Sequence, residues 1–156
     1  MDRLTVRDAV YKTLANDPEL NRLLARSTVP GMQGAPAIYE TWAAEDTPFP
    51  YINMTWSFSP GEQHWIKRRG IVTFDIFMNN ADTITAERIG KRLSELLDHT
   101  EHYDPEDGYI SSYLDGEGDY IEDEPQIVHI TMDFTIDHYR LGFIQKQEEA
   151  KINGNQ

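Results

Sequence analysis

Residues 67–97 read KRRGIVTFDIFMNNADTITAERIGKRLSELL, and this stretch decides the fold. Its first part alternates along a β-strand, and one apolar face consists of Val72, Phe74, Ile76 and Met78. Its second part, from Thr83 onward, spaces apolar residues as a helix does, with charged residues outside. Asp82 or Thr83 can cap the start of that helix. The stretch therefore predicts a strand and a helix that pack against each other.

Further strands precede and follow this unit. Residues 51–58 alternate as a strand, and the Pro-Gly pair within 59–62 indicates a turn. We therefore expect 51–78 to form one extended antiparallel hairpin whose tip projects beyond the core. Residues 126–139 alternate most regularly, which predicts a strand with one core face and one face that is wet or covered by a polar contact. Residues 38–42 predict a short additional strand.

Two helices are predicted at the start of the chain. The first begins near Thr5 with a variant of the capping box. The second begins at Pro18, with Asp17 as its N-cap. The predicted fold class is α+β: a mainly antiparallel β-sheet with an extended β-hairpin and helices packed on one face. We expect a single domain over 1–144, followed by a polar C-terminal tail over 145–156 without ordered structure.

Composition narrows the classes of function. The chain of 156 residues has a net charge of −13 and no cysteine, so disulfides and thiolate zinc sites are excluded. No stretch approaches the ~20 apolar residues of a membrane span, and the N-terminus predicts no signal peptide. The acidity argues against a surface that grips nucleic acid, although DNA could slide past such a surface without sticking. The simpler interpretation is that the acidic residues serve only to keep the protein soluble.

The negative charge is concentrated in residues 101–124, which contain ten acids and no lysine or arginine. We expect this segment to be a solvated, mobile loop with a short strand at 109–114. Its every-second-residue acids resemble a calcium loop, but Tyr120 and Gln126 occupy positions where an EF-hand needs glycine and glutamate. The candidate functional acids are Asp115, Glu117, Asp119, Glu122, Asp123 and Glu124.

Neither a metal site nor a catalytic site is predicted. His99 and His102 lie three residues apart, which is not the zincin spacing. The alternative interpretation is a pair of exposed histidines without a metal near the C-terminal end of a helix. The sequence holds no nucleophile elbow, P-loop or dinucleotide fingerprint. Trp42, Trp56 and Trp65 could form a sugar-stacking platform, but core or interface positions suit them better.

A basic cluster lies before the long strand. Lys67, Arg68 and Arg69, with Trp65 close by, are candidate residues of a subunit-contacting arm at the hairpin tip. An acidic segment and a basic arm in one chain suit head-to-tail assembly, in which the arm of one copy meets the acids of its neighbour. Scattered surface charge is the alternative interpretation.

Several segments resemble one known family. They are LTVRDAVYKTLANDPEL (4–20), FPYI (49–52), VTFDIF (72–77), AERIGKRL (86–93) and HITMDFTIDHY (129–139). Together they resemble tail-completion (tail-terminator) proteins of long-tailed bacteriophages over most of residues 4–140. The long acidic segment departs from the family, which leaves open whether it faces the lumen or the rim of a ring.

The resemblance implies a structural virion protein without an active site or cofactor. Such a protein forms a homo-oligomeric ring, typically a hexamer, at the head–tail junction after assembly in the host cytoplasm. It caps the tail tube, ends polymerisation of the tube protein and contacts the head connector or head-closure protein, while DNA passes through its channel without specific binding. The alternatives are another neck ring protein (head closure or connector), or a small cation-dependent binding module or hydrolase that uses the acids and histidines of 98–124.

Overall fold

The chain alternates helices and strands around one sheet. The computed structural model describes residues 3–40, 47–60, 67–104, 108–118, 121–122, 126–139 and 151–154. The elements are α1 (Arg3–Ala15), α2 (Pro18–Leu23), β1 (Ile38–Tyr39), β2 (Tyr51–Pro60), β3 (Lys67–Met78), α3 (Thr83–Leu97), β4 (Thr100–Asp104), β5 (Gly108–Glu117), β6 (Ile121–Glu122) and β7 (Val128–Tyr139). In the part of the chain so described, no helix is long and apolar enough to cross a membrane.

The strands form one seven-stranded sheet in the order β1-β2-β3-β7-β5-β4, with β6 also pairing with β7. Every neighbouring pair is antiparallel except β1 and β2, which are parallel. The two longest strands, β3 and β7, lie side by side in the middle through twelve register pairs from Lys67–Tyr139 to Met78–Val128. The predicted α+β fold with a mainly antiparallel sheet is confirmed.

The core lies between the sheet and α3. Phe74 on β3 and Phe134 on β7 are fully buried, and their rings meet edge to face with centroids 5.6 Å apart. Helix α3 buries Ile89 and Leu93 against this face. Gly90 allows the close approach, because a Cβ there would lie 3.2 Å from the sulfur of Met132. The strand and helix of 67–97 therefore pack as predicted.

Helix α3 begins with the predicted cap. The Asp82 carboxylate accepts a hydrogen bond from the Thr85 backbone N–H at 3.0 Å, which satisfies a donor that the first helical turn leaves unpaired. Before it, Asn80 and Ala81 adopt positive φ values of 57° and 53°, so the chain reverses tightly between β3 and α3. Helix α2 begins at Pro18 with Asp17 as its N-cap, also as predicted.

Strands β2 and β3 form the predicted antiparallel hairpin over 51–78, but its strands are longer than predicted and the end at Pro60 and Lys67 is not a free arm. Strand β2 runs through Pro60, which pairs with Arg68, so the predicted turn at 59–62 is wrong for its first two residues. Because β3 at Lys67 also pairs with Tyr139 of β7, the basic residues lie inside a sheet of several strands. This corrects the expectation of a projecting arm at these residues; Trp65 lies outside the described residues.

The acidic segment is largely strand rather than loop, which corrects a second expectation. Strands β4 and β5 form a hairpin, and β5 extends three residues beyond the predicted strand at 109–114. Ile110 and Ser112 are buried on the α3 side, opposite His138 and Ile136 of β7. Pairing of β5 with β7 and with β4 thus forms strands in this segment although it is rich in acidic residues.

The structure describes the tryptophans and the C-terminal tail only in part. Trp56 is half-buried against the core and stacks on Phe58 at 5.3 Å, which fits the core interpretation; Trp42 lies outside the described residues. Residues 151–154 form an exposed helical turn, which differs from the prediction of a tail without ordered structure. The other tail residues, 145–150 and 155–156, lie outside the described residues.

Candidate assembly surface

The sheet has a second face, directed away from α3, which we call the polar face. On β3 it is formed by alternate residues, and on β7 by their register partners. Its members on these two strands are Lys67, Arg69, Ile71, Thr73, Asp75 and Phe77, with Tyr139, Asp137, Thr135, Asp133, Thr131 and His129. The face mixes buried polar groups with exposed apolar ones: Asp75 and His129 are each 8% exposed, whereas Ile71 is 39% exposed. A face of this kind is a candidate for contact with other molecules.

An aromatic row covers one end of the polar face. Tyr51, Phe77 and His129 lie on three adjacent strands as register partners. The ring centroids of Tyr51 and Phe77 are 5.0 Å apart, and those of Phe77 and His129 are 4.3 Å apart. Phe49 adds a fourth ring, 5.3 Å from Tyr51. The stacked rings cover this end of the polar face, so we assign the aromatic row a structural role.

A buried acid–base pair lies beside the aromatic row. Oδ1 of Asp75 lies 2.6 Å from Nε2 of His129 and accepts a hydrogen bond from the Thr131 hydroxyl at 3.0 Å. Opposite Asp75 on β2, the Asn53 amide is buried without a hydrogen-bond partner among the described residues. Thr131 donates to the aspartate instead of presenting its hydroxyl as a nucleophile. The pair therefore orders side chains of two neighbouring strands, β3 and β7.

The predicted basic residues differ in their partners. Arg69 donates two hydrogen bonds to Asp137, at 2.8 Å and 3.0 Å. Lys67 lies 3.6 Å from the same carboxylate, and its Nζ lies 5.5 Å from the ring centroid of Tyr139. Arg68 points to the α3 side of β3 and has no ion pair within the described residues. Two of the three cations are thus engaged inside the sheet, whereas Arg68 is half-buried.

Asp137 anchors this cluster, and sequence reasoning did not identify it. Burial alone would raise the pKa of Asp137, but the hydrogen bonds from Arg69 and the charges of Arg69 and Lys67 outweigh burial and lower the pKa. The ion pair raises the pKa of Arg69 in return. The alternation of 126–139 placed Asp137 on the polar face, but its partner is 68 residues away in the chain.

We predict different effects for two neighbouring substitutions. Arg69→Ala should lower the free energy of unfolding by about 1–3 kcal/mol, because it leaves the buried Asp137 carboxylate with Lys67 alone. Arg68→Ala should change it by less than about 0.5 kcal/mol. Urea unfolding followed by circular dichroism measures both. Equal losses in the two variants would contradict the assignment of Arg69 as the structural cation.

The predicted acids lie toward the other end of β7. Asp115 and Glu117 are exposed at the end of β5; Asp115 lies in a β-bulge, and Glu117 follows it and pairs with Met132. The backbone of Glu122 lies in β6 opposite Val128. Asp119, Asp123 and Glu124 lie outside the described residues. At ~3.4 Å per strand residue, about 17 Å separates the Glu117 pair from Asp137, too far for the acids to reach the basic cluster within one chain.

No metal centre is formed by the residues that the structure describes, which include His99 and His102 but only part of the acidic segment. His99 adopts a φ of 51° just after α3, and His102 lies exposed in β4. A cleft of about 450 Å³ opens between α3 and the ends of β5 and β7. Ile130 and Met132 line it together with Glu87, Lys91 and Glu117.

Comparison with known proteins identifies a fold. No family model and no curated protein sequence matches the chain. A chain from a structure described as the virion of a native gene transfer agent particle has a similar fold, with a TM-score of 0.63 and 13% sequence identity. The similarity covers 84% of this chain and 92% of that chain. At this identity the likeness shows a shared fold.

Proposed function

We propose that this chain is a structural protein of a phage-like virion, without enzymatic activity, and that it acts as a ring-forming tail terminator. The observation that carries the proposal is the fold likeness to a chain of a gene transfer agent virion, which extends over 92% of that chain. The resemblance of 4–20, 72–77 and 129–139 to tail-completion proteins supports the more specific role.

In this role the chain assembles with itself, typically as six copies, at the junction of head and tail. One side of the ring holds the end of the tail tube and stops addition of tube protein, and the other side contacts the head connector or head-closure protein. The net charge of −13 supports a channel that does not bind the DNA passing through it, because like charges repel and few cations can replace phosphate counterions.

Electron microscopy of the protein mixed with its tail-tube protein tests the proposal. We expect rings at one end of the tubes and tubes that stop growing once the ring is bound, compared with tube protein incubated alone. A protein that stays monomeric with tubes present, and leaves their length unchanged, would refute it. Rings that do not bind tube ends but bind the portal or its adaptor would instead indicate a head-closure or connector ring.

A further inference from the structure

One transverse row of side chains crosses four strands at the end of the polar face. Lys67 on β3 is the register partner of Tyr139 on β7, which pairs with Tyr109 on β5, which pairs with Tyr103 on the edge strand β4. The Tyr109 and Tyr139 ring centroids are 5.6 Å apart. We call these four residues the tyrosine row. Its last member, Tyr103, is 57% exposed.

The composition of the tyrosine row is that of a protein contact. Three of its four residues are tyrosines, which are enriched at the centres of interfaces because they combine a large apolar area with a hydroxyl that bonds across the contact. Strand β4 pairs with β5 alone among the described strands, so its outer edge and Tyr103 are accessible. An exposed aromatic on an open strand edge is a site that another protein can cover.

The same end of the sheet has opposite charges on its two sides. Lys67, Arg68 and Arg69 lie on β3, one strand from the edge at Pro60. Glu101 lies exposed on β4 at the other side. Three strand spacings of ~4.8 Å, about 14 Å, separate β3 from β4. Arg68 and Glu101 also lie on opposite faces of the sheet, so they cannot pair within one copy.

Glu101 is exposed on β4 and lies beside Tyr109 of β5. The Tyr109 hydroxyl donates a hydrogen bond to Glu101, which raises the pKa of Tyr109.

We infer that β4 of one copy, through Tyr103 and Glu101, contacts the β2–β3 side of the next copy at Arg68. The contact joins two different surfaces, so repeating it generates a closed ring or a filament rather than an isolated pair. Charge complementarity selects a second copy as the partner, because each copy supplies the basic side and the acidic side together. Nucleic acid is disfavoured, since Lys67 is already shared with Asp137 and the chain is strongly acidic. The inference rests on the proposed ring.

Charge reversal with rescue tests the contact. Glu101→Lys and Arg68→Glu should each weaken copy–copy association at least about tenfold, because like charges then face each other. The double variant restores opposite charges and should return association to within about threefold of the wild type. Sedimentation velocity and native mass spectrometry, with tube protein added where assembly requires it, measure the assembled fraction. Circular dichroism melts establish that each variant is folded.

Two further variants complete the test. Glu40→Lys makes the same charge change at an exposed residue directly after β1 and should leave association unchanged. Tyr103→Ser removes the exposed ring without altering charge and should weaken association. A wild type that never assembles refutes the proposed function. Rings that survive both single reversals, or single losses that the double variant does not rescue, overturn this inference and leave the proposed function standing.

Discussion

Replacing Phe74 by alanine is expected to lower the free energy of unfolding by about 3–5 kcal/mol. Phe74 is fully buried in the central strand β3. Its ring meets Phe134 edge to face, and its register partners are Met54 on β2 and Met132 on β7. Truncation removes the transfer free energy of the ring and leaves a cavity that paired strands cannot close.

Ile71→Ala is the matched control for Phe74→Ala. Ile71 lies on the same strand but on the polar face, and it is 39% exposed. Its truncation should cost about 1 kcal/mol or less, because part of the removed surface was already in water. Urea unfolding measures both variants. A loss for Phe74→Ala no larger than that for Ile71→Ala would show that the core is not centred between β3 and α3.

Replacing Asp17 by alanine is expected to cost about 2–4 kcal/mol, the second largest effect, because it removes an N-cap and a charged pair together. Asp17 is 6% exposed and accepts the Leu20 backbone N–H at 2.9 Å. It also accepts two hydrogen bonds from Arg92 of α3, at 2.6 Å and 3.0 Å. Arg92 keeps Glu95 as a partner, so its charge is not left unpaired, which limits the loss.

The effect of Asp17 depends on pH. Hydrogen bonds from Arg92 lower the pKa of Asp17 below its usual 3.8, although burial opposes them. A carboxyl with a lowered pKa in the folded state stabilises the fold above the unfolded pKa, and this contribution is lost as pH falls through the folded pKa. The difference between wild type and Asp17→Ala should therefore be full at neutral pH and shrink below about pH 4.

Equilibrium unfolding at neutral and acid pH measures this difference. Asp17→Asn should lose less than Asp17→Ala, because an asparagine oxygen still caps α2. Glu19→Ala should have little effect, since Glu19 is half-exposed and lies 3.4 Å from Arg92. A difference between wild type and Asp17→Ala that stays constant down to pH 3 would contradict the lowered pKa.

Sequence reasoning succeeded where a structure depends on near neighbours. Residues 83–97 were predicted as a helix, and the structure forms α3 over the same residues, since the apolar stripe and the Asp82 cap are set within one or two turns. It failed for β4 and the end of β5. Their acids suggested a loop, whereas β5 pairs with β7 and β4 pairs with β5, so both are strands.

The candidate assembly surface shows the same difference between what near neighbours in the sequence reveal and what they do not. Lys67, Arg68 and Arg69 were singled out as basic residues, but their order along the chain could not reveal that Arg69 is tied to Asp137 and that Arg68 is not. The sequence also held Tyr103, Tyr109 and Tyr139 without any pattern to relate them.

The sequence by itself determined which residues alternate along strands, where helices α2 and α3 begin, and that the chain is acidic, because these properties depend on residues a few positions apart. The tertiary structure decided which distant residues meet. Arg92 and Asp17 are 75 residues apart, and the tyrosine row joins four strands. Strand order and register set such contacts, since a shift of one residue would turn every side chain to the opposite face.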